Sequence, residues 1–401
     1  MRRLLVVILF FVTSFALFSA ERDSSSFVHR IGADLRPSVI MQNNEFFSGY
    51  NRFGRRMLAS GSAHARYSFM FPADNPLGRM YPSAYQGVGL SSYTFFNSQE
   101  IGNPVAVYVF QGADIASFPY NLSLGYEWNF GVSFGWRPYE PAGEGGIGGN
   151  PNNLVVGTKV NAYINGALML SWRPLPGWTF SVGPDYTHFS NGDTTFPNSG
   201  VNTVGLRFGA VRSFGGVMED ERKPMLLWDR LGCGLSERIA MDVVAAGAWN
   251  QENVSYKDKE YIPEGKFAIF AVHVNPLYKL AGFLRVGPSL DIQYNEGVNI
   301  QNHIAGVNPL TDQIRFYRPP LSEQLAAGLS LRAELEMPIF SVNLGVGHNF
   351  IYRGEEQGGV YGLVSLKTFV SNDLFLNVGL KVNYTEASNN LLLGLGWRFG
   401  Q

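Results

Sequence analysis

Trp178-Thr179-Phe180-Ser181-Val182-Gly183-Pro184-Asp185-Tyr186-Thr187-His188-Phe189-Ser190 is the stretch that decides the fold. Successive side chains of an extended strand point to opposite faces. Trp178, Phe180, Val182, Pro184 and Tyr186 therefore share one face, and Thr179, Ser181, Gly183, Asp185 and Thr187 share the other. His188 and Ser190 continue the apolar face. After a turn-rich segment over 191–200, the alternation returns with Val204, Leu206 and Phe208 opposite Thr203, Gly205 and Arg207, and Asn202 again falls on the apolar side. Three polar groups at the end of two neighbouring apolar faces are costly unless they are paired or at work.

The same two-residue period recurs at 121–137, 154–172, 239–249, 284–294, 325–335, 342–350, 360–370, 374–384 and 391–399. Several of these runs are longer than the five or six residues usual in soluble sandwiches. Their polar faces are mostly Gly, Ser, Asn and Thr, with isolated charges such as Lys159, Arg207, Arg285, Glu334 and Lys381, which suits a crowded barrel interior. Only a closed sheet satisfies its backbone groups in lipid, so the pattern predicts an all-β fold, a transmembrane antiparallel β-barrel of roughly 12 to 14 strands. Segments 63–71, 88–96 and 105–110 alternate poorly. Segments 143–153, 251–265 and 296–322 carry charged, Gly and Pro residues and read as loops outside the membrane.

At the N-terminus, Arg2 and Arg3 precede an apolar core over 4–18 and the small residues Ser19 and Ala20, the pattern of a secretory signal peptide over residues 1–20. Cleavage after Ala20 is preferred to cleavage after Ala16. Residues 21–61 form a polar N-terminal extension read as an appendage, a plug or an extra strand, and 62–401 is the expected outer-membrane barrel. No later apolar run reaches the ~20 residues of a membrane helix. The 46 Gly, 30 Phe, 19 Tyr and 16% charged residues of the 401 suit a β-rich protein with aromatic anchors better than a soluble enzyme. A formal charge of -1 gives no hint of nucleic-acid binding. The single cysteine, Cys233, excludes an intramolecular disulfide framework and reads as an incidental small apolar residue. His29, His64, His273, His303 and His348 are scattered without metal-ligand spacing, so neither a metal nor an organic cofactor is expected.

Serine becomes a nucleophile when a base takes its proton, and a two-residue spacing on a strand puts His188 and Ser190 on one face. Asn202, across the turn on the same face, offers an oxygen that can fix the tautomer of His188. Asn191, through its side chain or backbone, and Gly192 lie next to Ser190 and could donate to a developing oxyanion. A nucleophile facing acyl chains implies a lipid ester as substrate.

His188-Phe189-Ser190-Asn191-Gly192, followed by Pro197-Asn198-Ser199-Gly200-Val201-Asn202, resembles the signature of the outer-membrane lipid A 3-O-deacylase (PagL) family. Residues 161–208 are similar too, and the chain looks most like the long Bacteroidetes-type members often labelled acyloxyacyl hydrolases. The resemblance implies an outer-membrane barrel that hydrolyses an acyl ester of lipid A, with Ser190 as nucleophile, His188 as base and Asn191 as an oxyanion contributor. The family's triad has a glutamate where this chain has Asn202. Three readings follow: Asn202 orients His188 without charge, a nearby acid substitutes, or activity is reduced. Asp185 and Asp193 are the nearest acids, and alternation turns Asp185 to the lumen, which ranks it below Asn202. The competing reading is a non-catalytic channel or structural barrel in which the motif is a relic. A homodimer is left open.

Overall fold

The computed structural model describes residues 27–72, 75–143, 148–215, 238–383 and 390–400. The signal-peptide reading of 1–20 and the reading of Cys233 lie outside these residues. Twenty strands follow one another: β1 (Val28–Ile40), β2 (Ala59–Met70), β3 (Tyr85–Thr94), β4 (Gly102–Phe118), β5 (Leu122–Trp136), β6 (Val160–Leu175), β7 (Trp178–Ser190), β8 (Val201–Phe214), β9 (Ile239–Asn250), β10 (Val254–Tyr256), β11 (Lys259–Tyr261), β12 (Phe267–Ala281), β13 (Leu284–Asn295), β14 (Ile304–Val307), β15 (Ile314–Phe316), β16 (Leu325–Glu336), β17 (Phe340–Ile351), β18 (Gly359–Phe369), β19 (Leu374–Asn383) and β20 (Asn390–Phe399).

They close two antiparallel barrels, not one. Strands β1 to β8 form the first, sealed where β1 pairs with β8, and β9, β12, β13 and β16 to β20 form the second, sealed where β20 pairs with β9. The all-β antiparallel barrel expectation holds, while the single barrel of 12 to 14 strands is corrected to two barrels of eight. Alternation counts apolar faces and carries no information about which strand closes on which, so two rings read as one. Within the segment 21–61, Val28–Ile40 is β1, hydrogen-bonded on both edges. Ile31, Leu35 and Val39 point outward, while Arg30, Asp34 and Arg36 point inward.

In the first barrel the inward charges meet. Arg66 and Arg207 each lie 2.7 Å from Glu127, and both lie 3.2 Å from Asp34, which also holds Arg36 at 3.1 Å. A buried charge without a partner costs several kcal/mol, so these groups are tolerable only as a network. Above it, Tyr93, Phe95, Tyr108, Trp136, Tyr163 and Phe189 fill one end of the lumen. At the other end a cavity of about 580 Å³ opens beside Arg30, Tyr85 and Arg173. The second barrel uses the same device: Lys367 and Arg398 bridge Asp242 and Glu334.

The barrels stand side by side with their longer connections at the same end. At the short-turn end Tyr81, Ala84 and Ala113 pack on Ala281, Phe283 and Met337, and Trp128 meets Phe340 edge-on at 5.4 Å. At the long-loop end the β7–β8 connection touches the start of β20 and the loop after β9.

Candidate active site

The outward face of β7 is as the alternation predicts: Trp178, Phe180, Val182 and Tyr186 are exposed outside the barrel, and Asp185 is buried inside on Asn165. Phe189 anchors the end of the strand. It points inward, with its ring 5.0 Å from both Tyr93 and Trp136, so His188 and Ser190 on either side of it must point out. The register sets His188 between Ile164 of β6 and Asn202 of β8, and Ser190 opposite Ala162.

His188 Nδ1 lies 2.6 Å from Asn202 Oδ1, and the Tyr186 hydroxyl donates to the same oxygen at 2.7 Å. An amide oxygen only accepts, so this network assigns the proton to Nδ1 and leaves the Nε2 lone pair available as a base. Ser190 Oγ accepts from the Gly192 N–H at 3.0 Å and from Asn198 Nδ2 at 2.9 Å. No His188–Ser190 hydrogen bond is present between these described side chains. Catalytic hydrogen bonds are often long before substrate binds, so this does not disqualify the pair.

Sequence reasoning singled out His188, Ser190, Asn202, Asn191 and Gly192, and the structure brings all five together with one difference. The Asn191 side chain turns away from Ser190 and donates to Thr195 O at 2.8 Å. The side-chain donor on Ser190 is instead Asn198, whose Oδ1 accepts the Asn191 N–H at 3.1 Å and whose Nδ2 also reaches Asp193 Oδ1 at 3.0 Å. Asn198 stood in the sequence as a turn former after Pro197, and the signal that could have raised it is its place in the same quoted motif. Tyr186 was hidden by its membership of the apolar face. Asp193 contacts Asn198, and Asp185 lies inside the barrel, so Asn202 is the group on His188.

Two glycines let the backbone come this close. Gly192 has φ +65° and Gly200 φ +70°, a region costly for residues with a Cβ. A Cβ on Gly200 would lie 3.2 Å from His188 Cε1 and 3.8 Å from Ser190 Cβ. The loop after β1 braces this turn: Met41 N–H donates to Asn202 O at 2.9 Å, and Asn43 Nδ2 to Ser199 O at 2.9 Å. Among the described residues no group of three or more His, Cys, Asp or Glu could hold a metal ion.

Residues 61–210 match the family described as lipid A 3-O-deacylase (PagL), and residues 239–401 match the C-terminal domain described as acyloxyacyl hydrolase. The chain belongs to the PagL family. Its two matched regions fall on the two barrels. PagL membership implies a lipid A deacylase in the outer membrane. No curated protein matches the chain. Among solved structures, Neisserial surface protein A is 10% identical, with 48% of this chain and 98% of that one covered and a TM-score of 0.28. The siderophore receptor PirA from Pseudomonas aeruginosa is 9% identical over 94% of this chain and 81% of its own, with a TM-score of 0.26.

Proposed function

We propose that this PagL-family chain removes one acyl chain from lipid A through a Ser190 acyl intermediate, with His188 as base and Asn202 holding His188 in the required tautomer. One observation carries the reading: on the outward face, a histidine whose Nδ1 is tied to an amide oxygen stands two residues from a serine oxygen met by two N–H donors.

Nε2 of His188 takes the Ser190 proton as Oγ attacks the ester carbonyl. The Gly192 N–H and Asn198 Nδ2, which rest on Oγ in the free protein, are within reach of the oxyanion formed next to it. Collapse of the intermediate expels the alcohol of the ester, whose oxygen receives the proton from His188, and leaves the acyl group on Ser190. A water activated by the same nitrogen then releases the fatty acid. Tyr186, Val204 and Leu206, exposed beside the site, offer an apolar bed for the acyl chain. In outer-membrane barrels the longer loops face the outside, so the site lies at the level of the leaflet that carries lipid A. The channel reading has less support, because ion pairs and aromatic rings fill the first barrel at the site end.

Mass spectrometry of lipid A incubated with purified protein tests this. Wild type should remove the mass of one fatty acid, and Ser190→Ala should remove none. An unchanged lipid A with wild type, across several lipid A sources, would return the chain to the channel or structural reading.

A further inference from the structure

The oxyanion donors in this reading sit on a loop that the second barrel holds. Gln251, the residue following β9, makes two hydrogen bonds to the β7–β8 connection: its backbone N–H donates to Asp193 O at 2.9 Å, and its side-chain Oε1 accepts the Phe196 N–H at 2.9 Å. Lys266 Nζ, just before β12, donates to Thr195 Oγ1 at 3.2 Å. Leu391 of β20 lies against Gly192 so closely that a Cβ on Gly192 would stand 2.6 Å from the Leu391 Cβ. These contacts bracket Gly192 and reach to within two residues of Asn198, the two residues whose N–H groups converge on Ser190 Oγ.

We propose that Gln251 is a positioning residue of the second barrel, which completes the active site by fixing the loop that presents the oxyanion donors. The inference rests on the deacylase reading above and assigns the second barrel a part in the chemistry. On the side of the first barrel the loop is braced at its far end, where Asn43 donates to Ser199 O and the Ser199 and Gly200 N–H groups donate to Leu154 O and Val155 O. Residues 191–198 bond among themselves, through Asn191 to Thr195 and Asn198 to Asp193, and move as a unit. Gln251 ties that unit to a separate rigid sheet. A displacement of about 1 Å in a positioned donor is enough to cost up to about a hundredfold in rate, so an anchor on an independent scaffold matters to the transition state more than to ground-state binding.

The test uses the full-length protein in detergent with Gln251→Ala, Gln251→Glu, Asn198→Ala and the Gln251→Ala/Asn198→Ala double variant. Gln251→Ala should lower kcat about tenfold and leave KM nearly unchanged. Gln251→Glu, which keeps an acceptor for the Phe196 N–H, should restore most of the rate. The double variant should lose less than the product of the two single losses, because Gln251 acts in part through the Asn198 donor that Asn198→Ala already removes. A Gln251→Ala enzyme as fast as wild type, or additive losses in the double variant, would overturn the proposal. Hydrogen exchange of the peptide covering residues 191–198 provides a readout independent of catalysis: exchange should quicken in Gln251→Ala. If wild type has no deacylase activity, the deacylase reading falls, and with it the catalytic part of this proposal; unchanged exchange would overturn the clamp itself.

Discussion

His188 in the first barrel and His348 in the second occupy nearly equivalent places. Each points outward near the long-loop end of its strand, β7 or β17, and each precedes an inward-facing anchor, Phe189 or Asn349. Their neighbours differ. His188 lies across from Asn202 and has Ser190 two residues on, whereas His348 lies between Leu329 and Val360 and has exposed Phe350 two residues on. Among the described residues His348 makes no side-chain hydrogen bond, while His188 has its tautomer assigned by a 2.6 Å contact. A histidine on a lipid-facing strand end is therefore not a site in itself. In the proposed reading, the partner that fixes its proton and the serine two residues on make the difference.

The largest expected effect is the loss of the base. His188→Ala should slow fatty-acid release from lipid A by about 10²–10⁴-fold, the usual worth of a positioned general base. A fall of less than tenfold, measured by quantitative mass spectrometry on folded protein, would mean that His188 is no more engaged than His348.

Next comes the partner. Asn202→Leu gives His188 the kind of apolar flank that His348 has in Val360, and the rate should fall about a hundredfold as Nδ1 loses its acceptor and the tautomer is no longer fixed. Asn202→Glu, which installs the residue that the resemblance assigns to this position, keeps an acceptor for Nδ1 and should retain activity. If Asn202→Leu were as active as wild type, orientation by Asn202 and Tyr186 would be dispensable.

Smaller still is Gly192→Ala. The change places a Cβ at φ +65° and 2.6 Å from the Leu391 Cβ, so about 1–2 kcal/mol of backbone strain is added and the loop must shift away from the second barrel. A drop of about tenfold in kcat is expected, with partial recovery on adding Leu391→Ala, which relieves the clash and leaves the backbone strain. Full activity in Gly192→Ala would show that the loop tolerates movement at the seam between the barrels.

Much of this was legible in the sequence, for reasons that differ by region. The outward faces of β7 and β8 could be read because lipid on one side and a polar lumen on the other force strict alternation. That same rule puts His188, Ser190 and Asn202 on one face from the sequence alone. β1 escaped because Arg30, Asp34 and Arg36 give it a polar look; each is an inward residue, and Asp34 and Arg36 find their ion-pair partners on other strands, at Arg66, Arg207 and Asp185. β3 and β4 alternate poorly because Tyr93, Tyr108 and Phe110 are turned inward into the aromatic plug, so both faces are apolar. Asn198, marked only by its place in the motif, and Gln251 were missed for another reason: their roles depend on where a turn folds back and on which barrel lies beside it, and no local period encodes either.

The smallest expected effect bears on the comparison most directly. His348→Ala removes an exposed imidazole with apolar cross-strand neighbours, so both stability in detergent and deacylation should stay within about twofold of wild type, as for most outward substitutions away from a network. The two histidines share an outward strand face and nearness to the long-loop end, although His188 is half-buried and His348 exposed. An inert His348→Ala beside a crippled His188→Ala would leave only the Asn202–Tyr186 acceptor network and Ser190 to account for the contrast. A large loss of activity in His348→Ala, with the barrel still folded by its heat-dependent gel mobility, would instead mean that the outward face of the second barrel touches the substrate, and the part assigned to that barrel would extend beyond holding the loop.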